Sequence, residues 1–214
     1  MYTRTQTLVY ITFSMWLDFL VFFIKNILQS GFDAENISLP LLLVSEDYTE
    51  TKSQLYNSPE LIHIFTQNNI TMNNHRNGIE PKVFLSDGGL TSLFQITSTN
   101  VDRKGRSFVS TIESLQYPYY ATQYHPEKNE FEFSTYPGTN IPYESINHSE
   151  EAIHASFSLA EFFVRQLRKN KSGSYTLAER HPLVYTYPMK HSLSFEQIFL
   201  IPSASHWGTS KHVT

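Results

Sequence analysis

The stretch that most constrains the fold runs from Ser107 to Phe133, SFVSTIESLQYPYYATQYHPEKNEFEF, and its centre is Gln123-Tyr124-His125-Pro126-Glu127. Tyr117, Tyr119, Tyr120 and Ala121 form an apolar run that reads as a buried strand. Residues two apart on an extended backbone project to the same face, so His125 and Glu127 point the same way. Pro126 fixes its own φ and steers His125 away from the α region, which enforces that geometry. A histidine held by a carboxylate is the part of a catalytic triad that activates a nucleophile supplied from elsewhere in the chain. Phe108-Val109-Ser110-Thr111-Ile112 alternates as the preceding strand, and Asn100 to Gly105 (NVDRKG) reads as the turn before it.

The clearest helix comes next. Ile153, Phe157, Ala160, Val164 and Leu167 recur at four- and three-residue steps and predict one apolar face, widened by Leu159, Phe162 and Phe163. Asn147 is placed as the N-cap with Glu150 at the third position, a capping-box arrangement after the loop from Lys128 to Ile146. Arg165, Arg168, Lys169 and Lys171 crowd the other end, where the helix dipole favours cations, and Gly173 follows. His148 and His154 straddle the cap at a spacing poorly suited to a metal, and no metal is expected.

Upstream the reading stays open. From Leu8 to Ile24 the chain is almost continuously apolar, LVYITFSMWLDFLVFFI, between Arg4 and Lys25. A signal peptide or membrane anchor would suit such a run, but a carboxylate at Asp18 costs about 3 kcal/mol on insertion scales, and no small-residue cleavage pattern follows. A strand from Leu8 to Ile11 turning into a buried helix from Phe13 to Gln29, ended by Ser30-Gly31, also fits the spacing. A mistranslated or mis-spliced start is the third reading. Ser30 to Leu61 reads as loop-rich around a short buried strand, Leu39 to Val44. Asn68 to Arg76, rich in Asn and followed by Gly78, reads as a turn. Lys82 to Leu93 and Phe94 to Thr97 suggest a further pair of elements around Asp87-Gly88-Gly89.

Taken together, Q-Y-H-P-E-K at a strand end, the run STIESLQYPYY before it and the helix ending LAEFFVRQLRKN resemble gamma-glutamyl hydrolase, a peptidase family of the class I glutamine-amidotransferase-like group. The resemblance extends over Leu39-Pro40-Leu41, Pro59 to Thr71, Phe108 to Lys128, Ala155 to Lys169 and the tail from Pro182 to Ile201. It implies a domain over 13–201 between an unmatched start, 1–12, and an unmatched tail, 202–214. The implied fold is an α/β three-layer sandwich, flavodoxin-like, with a mostly parallel sheet truncated at its N-terminal part. The implied catalytic residues are His125 and Glu127, with His75 near the substrate cleft. The family's nucleophile elbow, G-x-C-x-G followed by an aromatic, aligns with Ser14, Trp16 and Asp18 when Phe19 takes the aromatic position. Trp16 therefore occupies the cysteine position, and Ser14 lies two residues away from it. The substrate implied is a folylpolyglutamate or another γ-glutamyl peptide, with no cofactor, and homodimerisation is left open. By family the protein would be lysosomal, vacuolar or extracellular.

Composition narrows the alternatives. The chain of 214 residues has no cysteine, which excludes disulfides, thiolate metal sites and a thiol nucleophile. A formal charge of -4 without a dense basic patch argues against nucleic acid, and no stable membrane span is expected. Sequons at Asn36, Asn69, Asn147 and Asn170 suit a secretory or lysosomal glycoprotein. Two other classes compete with a hydrolase: a binding paralogue that keeps the cleft without the thiol, and the glutaminase subunit of an amidotransferase.

Overall fold

The computed structural model describes residues 27–44, 53–169, 184–191 and 198–201, and the backbone of 9–12. The chain divides into two units, Met1–Phe131 with Glu144–Lys171, and Glu132–Tyr143 with Ser172–Thr214. In the first unit a five-stranded sheet contains β1 (Val9–Thr12), β3 (Leu42–Leu43), β5 (Phe94–Val101), β6 (Ser107–Ser114) and β7 (Tyr119–Thr122) in the order β1-β7-β6-β5-β3. β1 pairs with β7 in parallel, and the remaining pairings are antiparallel. A second sheet joins β2 (Gln29–Leu39) to β4 (Thr71–Gly78). The helices are α1 (Pro59–Gln67), α2 (Pro81–Ser86), α3 (Gly88–Leu93), α4 (Lys128–Phe131) and α5 (Glu150–Leu167). The chain is thus mixed α/β, as expected, but the mostly parallel sheet that the resemblance implied is not what the described strands form. Only β1 with β7 is parallel, because β5, β6 and β7 follow one another through short turns that return the chain antiparallel.

Alternation along β7 separates two cores. Tyr120 and Ala121 are neighbours on an extended strand and project to opposite faces. Tyr120 joins a cluster with Tyr56, Ile64 and Phe65 from the α1 region and with Ala155, Leu159 and Phe162 of α5. Ala121 joins Phe84 of α2, Leu90 of α3, Ile79, Val109 and Ile112. A third, smaller cluster of Phe32, Ala34 and Phe108 packs β2 against β6. Local chemistry sets the helix starts. Ser58 accepts from Leu61 N at 3.1 Å ahead of Pro59, and Asp87 accepts from Leu90 N at 2.9 Å.

Expectations for several individual segments are corrected as well. Ser30 to Leu61 is not loop-rich throughout, because its first part is the strand β2. Gly31 at φ +88° and Asn36 at φ +49° look like turn residues, but both lie in a strand whose register with β4 shifts twice. Such bulges accommodate left-handed residues without ending the pairing. Asn68 to Arg76 is largely the strand β4, whose asparagine side chains are taken up in hydrogen bonds that do not turn the chain: buried Asn73 Nδ2 donates to Thr71 O of the same strand, and Asn74 Oδ1 accepts from Asn36 N of β2. Pairing across the sheet overrides low strand propensity. The N-cap of α5 is Ser149, which accepts from Ala152 N at 3.2 Å. Asn147 sits two residues earlier, its Oδ1 accepting from Ser149 N.

A further correction concerns the face of α5. Ala152, Ala155, Ser156, Leu159 and Phe162 are buried, whereas Phe157, Val164 and Leu167 are 56%, 41% and 42% exposed. Small alanines let the helix approach the sheet closely, and the Phe162 ring meets the Tyr120 ring edge-on with centroids 4.8 Å apart. The loop from Lys128 to Ile146 also contains structure. It opens with α4, and in the second unit it carries a bridge between Thr135 and Pro142. The same unit pairs β8 (Met189–Lys190) with β9 (Ile198–Phe199). The expected strand near Leu8 to Ile11 corresponds to β1, whereas Ser14, Trp16, Asp18, Phe19 and the tail 202–214 lie outside the described residues. Among the described residues no helix is long and apolar enough to cross a membrane.

Candidate active site

β7 ends at Thr122 and delivers His125 just beyond its edge. His125 N donates to Met72 O of β4 at 2.8 Å, so the backbone of the motif is fastened to the strand that carries His75. His125 Nδ1 and Glu127 Oε1 are 2.9 Å apart, the contact expected from residues two apart across a proline. Pro126 is buried, and its carbonyl accepts from Ser156 Oγ of α5, which fixes the bend from below. His125 keeps about a third of its side chain open and Glu127 about half, at 29% and 52%. Partial burial is the largest influence on Glu127 and pushes its pKa up. The hydrogen bond and charge of His125, with help from Lys128, outweigh burial and hold the carboxyl below its ordinary range. A carboxylate on Nδ1 leaves Nε2 as the nitrogen that faces outward for proton transfer.

His75 lies on β4 between aromatic rings. Its ring meets Phe108 edge-on at 4.8 Å and Phe32 at 6.5 Å. Nδ1 is 2.9 Å from Asn77 O and Nε2 is 3.3 Å from Asn73 Oδ1. The tautomer with hydrogen on Nδ1 is assigned, because the shorter contact needs a donor. Burial lowers the His75 pKa to about 4. The charge of His125 acts in the same direction, against the Asn77 bond and the charges of Asp102 and Glu35. The two imidazoles thus share an electrostatic neighbourhood, with His75 neutral above mildly acidic pH.

This has a measurable consequence. The unfolded state takes up a proton near the ordinary histidine value of about 6.5, and the folded state does so near 4. Stability is therefore full above about pH 6.5 and falls as pH drops towards 4, by up to about 3 kcal/mol. His75→Leu should flatten that part of the profile, as read by urea unfolding at neutral and mildly acidic pH. A wild-type profile with no slope in the window would contradict the assignment.

Supports around the two histidines were not apparent from sequence. Arg106 stacks over the Phe32 ring, 3.8 Å from its centroid, while its Nε donates to Glu80 Oε1 at 2.8 Å. Asp102 accepts from Asp33 N, Lys104 N and Arg106 N. These bonds outweigh its burial and lower its pKa. The β5–β6 turn thereby clamps β2, and β2 presents Phe32 to His75. Glu144 bridges Lys128, next to Glu127, and Asn74, next to His75. Adjacent sequence placed Lys128 and Asn74 near the histidines, but nothing local pointed to Glu144. His148 bonds Asn129 O through Nδ1, and His154 lies 3.8 Å from Glu60, so the two serve separate local contacts. Among the described residues no group of three or more His, Asp or Glu is placed to hold a metal ion.

No family model matches the chain. Among curated proteins it is similar to Gamma-glutamyl hydrolase B of Dictyostelium discoideum, 37% identical over 83% of this chain and 50% of that protein. It is 33% identical to Gamma-glutamyl hydrolase of Mus musculus over 82% of this chain and 54% of that protein. With Gamma-glutamyl hydrolase of Homo sapiens the identity is 29%, over 81% and 53%. The chain spans about half the length of these curated relatives. Identity of this extent, shared with organisms as distant as Dictyostelium discoideum and Homo sapiens over most of the residues given, reflects common descent, and the chain belongs to the gamma-glutamyl hydrolase family.

Proposed function

We propose that this chain is a gamma-glutamyl hydrolase-like protein whose cleft binds γ-linked glutamyl peptides such as folylpolyglutamates, and that as given it has the acid–base half of the catalytic unit without the nucleophile. The contact between His125 Nδ1 and Glu127 Oε1 at 2.9 Å carries this reading. In the complete reaction a thiolate attacks the γ-glutamyl carbonyl and forms an acyl-enzyme. His125 gives a proton to the leaving amine, then takes one from the water that releases the acyl group. Glu127 holds the imidazole and stabilises its charged form. His75, neutral and on the facing strand, is read as a substrate-contacting group.

The finer fold belongs to the same reading: a three-layer α/β sandwich of the class I glutamine-amidotransferase type. Its support is the placement of α1 and α5 on the Tyr120 face and of α2 and α3 on the Ala121 face. A lysosomal, vacuolar or secreted setting with glycosylation is part of the proposal. The exposed Asn69 is a better acceptor than Asn147, whose Nδ2 donates to Asn69 O at 2.9 Å.

NMR titration of the isolated chain with γ-glutamyl-glutamate tests the proposal. Saturable shifts of the His125 and His75 ring protons are expected, with an α-linked glutamyl dipeptide producing weaker ones. His125→Gln should weaken γ-peptide binding several-fold. No saturable shift at millimolar peptide would sink the reading.

A further inference from the structure

A polar stripe on α5 borders the start of α1. His154, Ser158, Glu161 and Arg165 recur at four- and three-residue steps, which sets them on one side of the helix. Between that stripe and the segment leading into α1 lies an open cavity of about 190 Å³. Its apolar lining is Leu55 and Phe162, 2% and 5% exposed, with the partly buried Leu61. Around these stand the charged groups of Glu60, Glu161 and Arg165, the ring of His154 and the carboxamide of Asn57. Sites for drug-sized ligands measure roughly 300 to 1,000 Å³, so this one suits a body about the size of a single amino acid.

Charge identifies the occupant. Glu60 already faces His154, with Oε1 3.8 Å from Nε2. Among the described residues neither Glu161 nor Arg165 makes a hydrogen bond or ion pair. They stand one turn apart on α5, where a direct pair between exposed side chains is weak, so both are available to a ligand. One carboxylate and one guanidinium left over are the complement of a zwitterion. We infer that this cavity binds a free α-amino acid with an apolar side chain. Its ammonium group donates to Glu161, and its carboxylate accepts from the planar fork of Arg165. Its side chain covers Leu55, Leu61 and Phe162 and removes their apolar surface from water. A second carboxylate on the ligand would meet Glu60 and Glu161, so glutamate is disfavoured by like charge. Neither His75, His125 nor Glu127 lines the cavity, and its occupancy does not depend on the hydrolase reading.

Amide-resolved NMR of the full chain titrated with L-phenylalanine tests this. The amides of Leu61 and Phe162 and the Nε–H of Arg165 should shift and saturate in the millimolar range, while the His125 ring protons stay in place. 3-Phenylpropionate lacks the ammonium group and phenethylamine lacks the carboxylate. Each should bind about tenfold more weakly than phenylalanine, as should L-glutamate. Arg165→Gln and, separately, Glu161→Gln should each weaken phenylalanine binding by about tenfold. Both side chains are exposed, so melting temperature should be nearly unchanged, and Glu161→Gln serves if Arg165→Gln disturbs the end of the helix. No saturable shift at Leu61, Phe162 and Arg165 would overturn the proposal, as would shifts confined to the His125 ring. Phenethylamine or 3-phenylpropionate binding as tightly as phenylalanine would overturn the zwitterionic ligand.

Discussion

Incubated with γ-glutamyl-glutamate or a folylpolyglutamate, this chain should release glutamate about a million-fold more slowly than a complete thiol hydrolase of its family. His125 and Glu127 are in contact, the arrangement that the proposed base and its orienter require. The sequence contains no cysteine, so the base has no thiol to activate. Members of a catalytic unit act together, and removing the nucleophile alone costs nearly as much as removing the whole unit. What remains is orientation of the substrate and local electrostatics, worth roughly 10³- to 10⁴-fold over water in comparable triads. The measurement is glutamate release by chromatography, alongside the mouse relative under the same conditions. Turnover near 1 per second, in the ordinary range for enzymes, would show that another residue supplies the attacking atom. Insensitivity to iodoacetamide with loss of activity in His125→Gln would then locate the base without the thiol.

The site was more legible in the sequence than the scaffold around it, for a physical reason. The His125–Glu127 contact is local: proline geometry and two-residue alternation decide it without knowledge of distant parts. The turn read over Asn100 to Gly105 was legible on the same terms, with Gly105 at φ +78° supplying the left-handed residue, although Asn100 and Val101 still pair as the end of β5. β2 and β4 were not legible, because each is defined by the other. Gly31 and Asn36 are turn residues by propensity that become bulges only when β4 lies alongside. The face of α5 was misread because the helix carries two apolar stripes. Bulk favoured the stripe through Phe157 and Val164, whereas the core selected the stripe through Ala152 and Ala155, where small residues allow close packing. His75 was expected near the substrate cleft by resemblance alone, and its neutral state follows from burial beside Phe108 and Phe32, which its own neighbours in sequence do not reveal.

Glu113→Ala should cost on the order of 3 to 5 kcal/mol, a large share of a stability that for domains of this size totals about 5 to 15. Glu113 is 1% exposed on β6, on the face shared with Tyr120. Its carboxylate accepts from Ser53 Oγ and from Gln54 N at 2.8 Å, with Leu55 N at 3.5 Å. It therefore anchors the segment that precedes α1. From that segment Tyr56 reaches back, its hydroxyl 2.8 Å from Thr111 Oγ1 and 3.0 Å from Tyr124 OH. Tyr124 is the residue before His125, so the buried polar network that holds the anchor reaches the residue adjoining the candidate base. Alanine removes the acceptor of Ser53 Oγ and of Gln54 N–H and leaves a cavity, while Glu113→Gln keeps the volume and one acceptor oxygen and should cost about half as much. Burial, the largest influence, raises the Glu113 pKa against the pull of its donors. The folded state thus holds a proton to higher pH than the unfolded state, and stability falls as pH rises from the ordinary glutamate value through the raised one. Glu113→Gln should abolish that decline, the opposite sense to the His75 effect and separable from it by comparing the two variants. Urea unfolding across mildly acidic to neutral pH reads both. A Glu113→Leu protein as stable as wild type, with the His125 ring protons unshifted, would show that the carboxylate anchors nothing.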